Sequence, residues 1–130
     1  MKTALISALL VGSGGFFGAM LRYGISGLVQ KHLLAMSTFP YGTLVVNIIG
    51  CLMIGLLMGL VEARQLFMPE FRNFAVVGLL GGFTTFSTFG FETFKLAQDG
   101  EWLPAAFNVG VHIIACLTAV WFGYSLASWR

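Results

Sequence analysis

Apolar residues fill four long stretches of the chain, and polar or charged residues are confined to the short pieces between them and to a few positions inside them. The first stretch, over about residues 4 to 28, begins after Lys2 and continues past Phe16 and Phe17 to Arg22 without stopping at a small-residue cleavage site, which separates it from a secretory signal. The second runs from Tyr41 to about Val61, just beyond Pro40, where a helix can begin. The third begins near Asn73, after Pro69 and Glu70 have opened a helix, and continues to Lys95. The fourth opens at Trp102 and Pro104 and leaves through Trp121, Tyr124, Trp129 and Arg130, an aromatic and basic exit suited to a membrane interface. Between them, Lys31 to Pro40 reads as a loop, Glu62 and Arg64 as a water interface, and Asp99-Gly100 as a turn. Each stretch approximates the ~20 residues that cross a bilayer, so the pattern predicts four transmembrane helices.

Composition agrees, since 58% hydrophobic and 9% charged residues do not describe a soluble domain. A chain of 130 residues has room for four spans and short turns, so a single transmembrane domain is expected over residues 1–130. The net charge of +2 is spread thinly, which argues against nucleic acid as a partner and leaves the lipid bilayer. Cys51 and Cys116 fall inside apolar spans, where free thiols are expected rather than a disulfide or metal pair.

One stretch is not written for lipid. Gly81 to Glu92 reads Gly-Gly-Phe-Thr-Thr-Phe-Ser-Thr-Phe-Gly-Phe-Glu. Paired glycines lose the most entropy in a helix, and Thr and Ser hydroxyls compete for backbone partners, so the third helix is expected to break here. Broken backbone at membrane depth needs protein, water or an ion to satisfy it, which makes the stretch a candidate ion site. Phe83, Phe86 and Phe89 recur every third residue, beside Thr85, Thr88 and Glu92. The ring stripe reads either as packing or as a set of positive ring edges along which a small anion could move. A small, strongly hydrated anion such as fluoride also needs donors, which Thr85, Ser87, Thr88 and the Asn47 amide could supply.

Other polar positions carry a bland reading beside a functional one. Thr43, Asn47, Gly50 and Ile54 share a face of the second helix, as interhelical glue or as a polar track. Asn108, His112 and Cys116 recur every fourth residue of the fourth helix, as glue or as a wetted groove. Arg22 either snorkels or sits at an aqueous mouth, where it would concentrate anions. Gly14 with Gly18, Gly15 with Ala19, and Gly55 with Gly59 allow neighbouring helices to approach closely.

Three segments, Gly-Ala-Met-Leu-Arg-Tyr in the first span, Pro-Tyr-Gly-Thr-Leu-Val-Val-Asn-Ile-Ile-Gly in the second and Gly-Gly-Phe-Thr-Thr-Phe-Ser-Thr-Phe in the third, resemble the Fluc (CrcB) fluoride channels in the same order. The resemblance implies a passive fluoride exporter of the bacterial inner membrane, an all-α protein of four helices with a broken third, assembled as an antiparallel dual-topology homodimer with two pores. It implies a structural sodium ion held by backbone carbonyls at Gly81 and Thr84. It matches Phe86 and Phe89 to the fluoride path, Asn47 to its second-span amide, Arg22 to the vestibule, and Thr43, Ser87, Thr88 and Glu92 to further polar positions. The fourth span departs, because Ser or Tyr hydroxyls are expected at one or more of the positions held by Asn108, His112 and Cys116, and His112 brings a group that titrates near neutral pH. Charge suits dual topology: Lys2, Arg64, Arg72 and Arg130 fall on one side of the four spans and Arg22, Lys31 and Lys95 on the other, a nearly even balance.

Two rival functions compete. A small dual-topology, proton-coupled multidrug transporter needs a carboxylate in its first span, and residues 4 to 28 contain no Asp or Glu. A non-transporting membrane scaffold would use the polar stripes as glue but leaves the Gly-Gly and Thr-Thr pairs without a purpose. An enzyme is not expected, since no nucleophile and base and no clustered metal ligands stand out.

Overall fold

The computed structural model describes residues 2–33, 38–64 and 69–129. Helix α1 spans Lys2–Leu33 and α2 spans Tyr41–Arg64. Helix α3, residues 69–83, is one helical run in three windings, with Pro69–Phe71 followed by a π-wound piece, Arg72–Leu80, and a last α turn, Gly81–Phe83. Helix α4 spans Phe86–Gln98 and α5 spans Trp102–Ser128. Four segments, Lys2–Lys31, Tyr41–Ala63, Pro69–Gln98 and Trp102–Ser128, are long and apolar enough to cross a membrane, and the described residues contain no strand.

One boundary and one winding differ from the sequence reading. Helix α1 continues through Lys31, where a loop was expected, because no proline interrupts the chain between Arg22 and Leu33 and the last turn carries polar Gln30 and Lys31. Positions 34–37 of that loop lie outside the described residues. The π winding of α3 was not foreseen either. It shows at Gly81, whose N–H reaches both the Val76 and the Gly78 carbonyls. The Asp99-Gly100 turn is found, and its geometry explains the residues. Gly100 takes φ +83°, its N–H bonds the Ala97 carbonyl, and the Glu101 N–H bonds the Leu96 carbonyl, closing α4 with a left-handed cap.

Glycines set which helices meet. A side chain at Gly14 or Gly18 of α1 would strike the α3 backbone at Phe74 and Leu79 or at Leu79 and Phe83, and one at Gly78 or Gly82 would strike α1 at Val11 or Gly15. Backbone therefore meets backbone along the α1–α3 seam. Helices α2 and α5 form the most extensive pairing, with Gly55 against the Val120 carbonyl, Gly59 against Tyr124 and Ala127, and Gly123 against the Leu52 carbonyl. The outer faces keep their large apolar side chains exposed, among them Leu9, Phe16, Phe94, Ile114 and Trp121, as suits a lipid surround.

Candidate functional site

Helical geometry stops at Phe83. Thr84 (φ −81°, ψ 158°) and Thr85 (φ −151°, ψ 111°) are extended, and α4 restarts at Phe86 with Thr85 as its N-cap. Residue chemistry accounts for the stop and the restart. The Thr85 Oγ1 accepts from the Thr88 N–H at 3.2 Å, as a threonine N-cap does, and shares hydrogen bonds with the Thr88 hydroxyl (2.9 Å) and the Ser87 hydroxyl (3.3 Å). Thr84 closes the preceding turn, since its N–H and its Oγ1 both donate to the Leu80 carbonyl at 3.0 Å.

Thr85 is held from α2 by one side chain, while Thr84 packs its methyl against Gly50 of the same helix. Asn47 Nδ2 donates to the Thr85 carbonyl at 3.2 Å, and Asn47 Oδ1 accepts from the Thr85 N–H at 2.9 Å. A primary amide matches a peptide group in donor and acceptor, so Asn47, itself buried, completes both backbone valences of Thr85. This pairing has a further consequence upstream. In a continuous helix the Thr85 N–H would bond the Gly81 carbonyl and the Thr88 N–H would bond the Thr84 carbonyl. Both donors are diverted, one to Asn47 and the other to Thr85 Oγ1, so neither carbonyl receives its helical bond.

Two cavities meet at this break, and another lies beyond Thr43. The first, about 480 Å³, is lined by Asn47, Thr85, Phe86, Phe89, His112 and Cys116, together with Gly81 and Thr84, and its wall carries no acidic or Lys/Arg side chain. Phe86 and Phe89 are adjacent rings with centroids 5.4 Å apart, and Phe89 lies against His112 at 4.4 Å. A second cavity, about 450 Å³, is lined by Thr43, Glu92, Lys95, Asp99 and Glu101. The third, about 400 Å³, contains Arg22, Tyr23, Thr43, Thr85 and Thr88. Thr85 lines both the first and third cavities, and Thr43, Ser26 and Gly27 line both the second and third, so Thr85 forms one partition and these three residues the other.

The candidate residues are thus distributed rather than strung on one track. Asn47, Phe86, Phe89, His112 and Cys116 share a cavity with Gly81 and Thr84. Arg22 and Thr88 face the other side of Thr85, and Arg22 makes no hydrogen bond or ion pair among the described residues. Glu92 stands beside Thr43, whose hydroxyl donates to its Oε1 at 2.8 Å, while its Oε2 is buried without a partner. Ser87 is exposed and touches the site only through the Thr85 hydroxyl. Asn108 lines none of the three cavities. It is fully buried and donates to Thr93 Oγ1 at 2.8 Å, and the Thr93 hydroxyl donates to the Phe89 carbonyl at 2.7 Å. The His112 Nδ1–H donates to the Asn108 carbonyl at 3.0 Å. Asn108 and His112 therefore buttress Phe89 from behind.

Thr85 and Thr93 have roles that the sequence alone does not distinguish. Thr85 was one hydroxyl among several in the sequence, and only the fold makes it both the cap and the partition. Thr93 stands one helical turn after Phe89, the spacing at which a threonine can bond the preceding turn's carbonyl.

Residues 9–124 match the family described as CrcB-like protein, Camphor Resistance (CrcB). This chain belongs to the CrcB-like family. Relatives within it include a protein of Geobacter sp. (strain M21), 48% identical over 114 residues that cover 87% of this chain and 90% of the relative, called fluoride-specific ion channel FluC. Proteins with that designation from Nitratidesulfovibrio vulgaris (strain DP4) and, as FluC 1, from Methanosarcina acetivorans are 44% and 43% identical, over 91% and 92% of this chain and 94% and 88% of their own. With four membrane-spanning segments and this family, the CrcB-like chain is a multi-pass membrane protein.

Proposed function

We propose that this chain is a passive, fluoride-selective ion channel. The observation that carries the reading is the Asn47–Thr85 clasp, which keeps the chain extended between a cavity containing Arg22 and a cavity walled by Phe86 and Phe89, in a family whose relatives bear that designation. Arg22 raises anion concentration at one mouth. Hydroxyls at Thr43, Thr88 and Ser87, and the second Nδ2 hydrogen of Asn47, replace water around the ion. Edges of Phe86 and Phe89 carry it past the break. His112 and Cys116 complete that wall, Asn108 acts behind it, and Glu92 governs the far mouth through its bond to Thr43. Movement down a gradient makes and breaks no covalent bond, so no catalytic group is required.

The reading extends to an antiparallel, dual-topology homodimer with two pores in a bacterial inner membrane. Phe86 is 83% exposed in a single copy although it forms the cavity wall, which a second copy would cover. The near balance of Lys and Arg between the two sides favours insertion both ways. A structural sodium ion fits Gly81 and Thr84, because both carbonyls have lost their helical donors and no side chain crowds Gly81. Uncharged carbonyl oxygens suit a hard monovalent ion.

Purified protein in liposomes loaded with fluoride should release it, read by a fluoride electrode, once a potassium ionophore dissipates the voltage, and should release little chloride. Absence of fluoride release would end the reading. Labelling of a single cysteine at the C-terminus, with Cys51 and Cys116 replaced, should proceed from both faces of the membrane, and one-sided labelling would remove the antiparallel dimer.

A further inference from the structure

Helices α2 and α5 run side by side in a constant register. The Val120 carbonyl meets Gly55 and Tyr124 meets Gly59, and one turn earlier the Cys116 side chain lies close enough to Cys51 for the two to interact. Continuing the same register back another turn brings Asn47 opposite His112, and all four of these side chains line the 480 Å³ cavity. Along the sequence the two cysteines are far apart and fall in separate spans, so nothing there pairs them. Both are free and half-buried, and both line the cavity.

Two thiols on facing helices, open to one cavity, constitute a soft donor pair. Among the described residues no three His, Cys, Asp or Glu side chains converge where they could hold a metal. That argues against zinc, which takes three or four protein ligands, and leaves ions that two sulfurs satisfy. We infer that Cys51 and Cys116 together bind one soft, thiophilic cation, of the class of Ag⁺, Cu⁺ and Hg²⁺, as a dithiolate in the cavity wall. With Hg²⁺ the charges close: each S–H gives its proton to water, each sulfur forms one bond to mercury, and nothing is oxidised or reduced. The resulting S–Hg–S unit is neutral, so an apolar wall of Ile54, Leu80, Ile113 and Leu117 accepts it without a buried charge. The site stands on the α2–α5 register alone and does not depend on which ion permeates.

The purified, reduced protein in detergent is titrated with Hg²⁺ while thiolate-to-mercury absorbance and free thiols, counted with a maleimide, are followed. One Hg²⁺ per chain, with two thiols lost and two protons released together, is the expected result. Cys51→Ser and Cys116→Ser should each weaken binding by about 100-fold, measured against a competing dithiol. Two ions per chain, or equal affinity in the single variants, would mean that the thiols act separately and would overturn the site. Phenylarsine oxide provides a test that needs no variant, because its arsenic bonds two thiols and releases one water. It should protect both cysteines from maleimide until a dithiol is added, and protection of one or neither rejects the pairing.

Discussion

The two ends of the third span hold themselves against their neighbours by opposite means. Before Phe83, α3 lies on α1 through Gly14, Gly18, Gly78 and Gly82, with backbone against backbone. Two residues later the hydrogen-bonded tie to α2 at the break is the Asn47 amide, with Gly50 packed against the Thr84 side chain, and two carbonyls are left without their helical donors. The glycine seam is bought with shape alone, through close packing that tolerates no added atom. The clasp depends on donor and acceptor matching, and it leaves polar backbone exposed at membrane depth. Close packing on one side of Phe83 adjoins irregular backbone on the other, and irregular backbone at membrane depth is tolerated only where protein, water or an ion satisfies it.

The largest effect should come from filling the seam. Gly18→Leu drives a side chain into the Leu79 carbonyl and the Phe83 N–H, neither of which can move without displacing α3. A loss of about 3 kcal/mol or more is expected, enough to prevent recovery of monodisperse protein. Gly12→Ala, where an added Cβ meets nothing within 4 Å, should leave the elution profile unchanged. Tolerance of Gly18→Leu would show that the two sides of Phe83 are not mechanically distinct.

Asn47→Asp attacks the clasp instead. The carboxylate cannot donate to the Thr85 carbonyl and sets negative charge against it, in a buried position. Chemical denaturation in micelles should show a loss of about 2 kcal/mol, as for other unsatisfied buried groups. Fluoride flux should fall further, by about 100-fold or more, the factor that about 3 kcal/mol of added barrier implies. Wild-type flux with reduced stability would return Asn47 to a purely structural tie.

Both regions were partly legible in the sequence, for different reasons. Gly14, Gly18, Gly55 and Gly59 announce close approach because small residues four apart in an apolar helix have little other use, and the fold uses all four. The stop after Phe83 was signalled by Gly-Gly and Thr-Thr, since both pairs weaken a helix whatever surrounds it. The π winding of Arg72–Leu80 had no such signal, because it is a matter of how α3 meets its neighbours rather than of local propensity. Nor could spacing along α2 and α5 reveal that Asn47 would pair with Thr85 rather than with the helix beside it, or that Cys51 faces Cys116. Those contacts depend on the register between helices, which one sequence does not contain.

A finer comparison separates the two rings beyond the break. Phe86 is 83% exposed, while Phe89 packs on His112 at 4.4 Å and is braced through Thr93 and Asn108. Phe89→Ile should therefore cost about 1 kcal/mol of stability and Phe86→Ile less than about 0.5. If the ring edges conduct, both should lower flux about tenfold, so that flux and stability part company most clearly at Phe86. Equal, small effects on flux at both positions would make the stripe ordinary packing.

The smallest effect is expected at Thr84, and it tests how the carbonyls were freed. Thr84→Ala removes a hydroxyl that donates to the Leu80 carbonyl, but the Thr84 N–H already donates to the same oxygen at 3.0 Å. The loss should be no more than about 0.5 to 1 kcal/mol, and the Thr84 carbonyl itself is untouched. A cation held by the Gly81 and Thr84 carbonyls should survive the change, so the melting temperature of Thr84→Ala should still rise when sodium replaces a large organic cation. Asn47→Ala should behave differently. It releases the Thr85 N–H, the donor that a continuous helix would aim at the Gly81 carbonyl, and so allows the break to close over that oxygen. Its sodium response should shrink while that of Thr84→Ala persists. The reverse order would place the cation on the Thr84 hydroxyl, and the diverted N–H groups would then have no part in holding it.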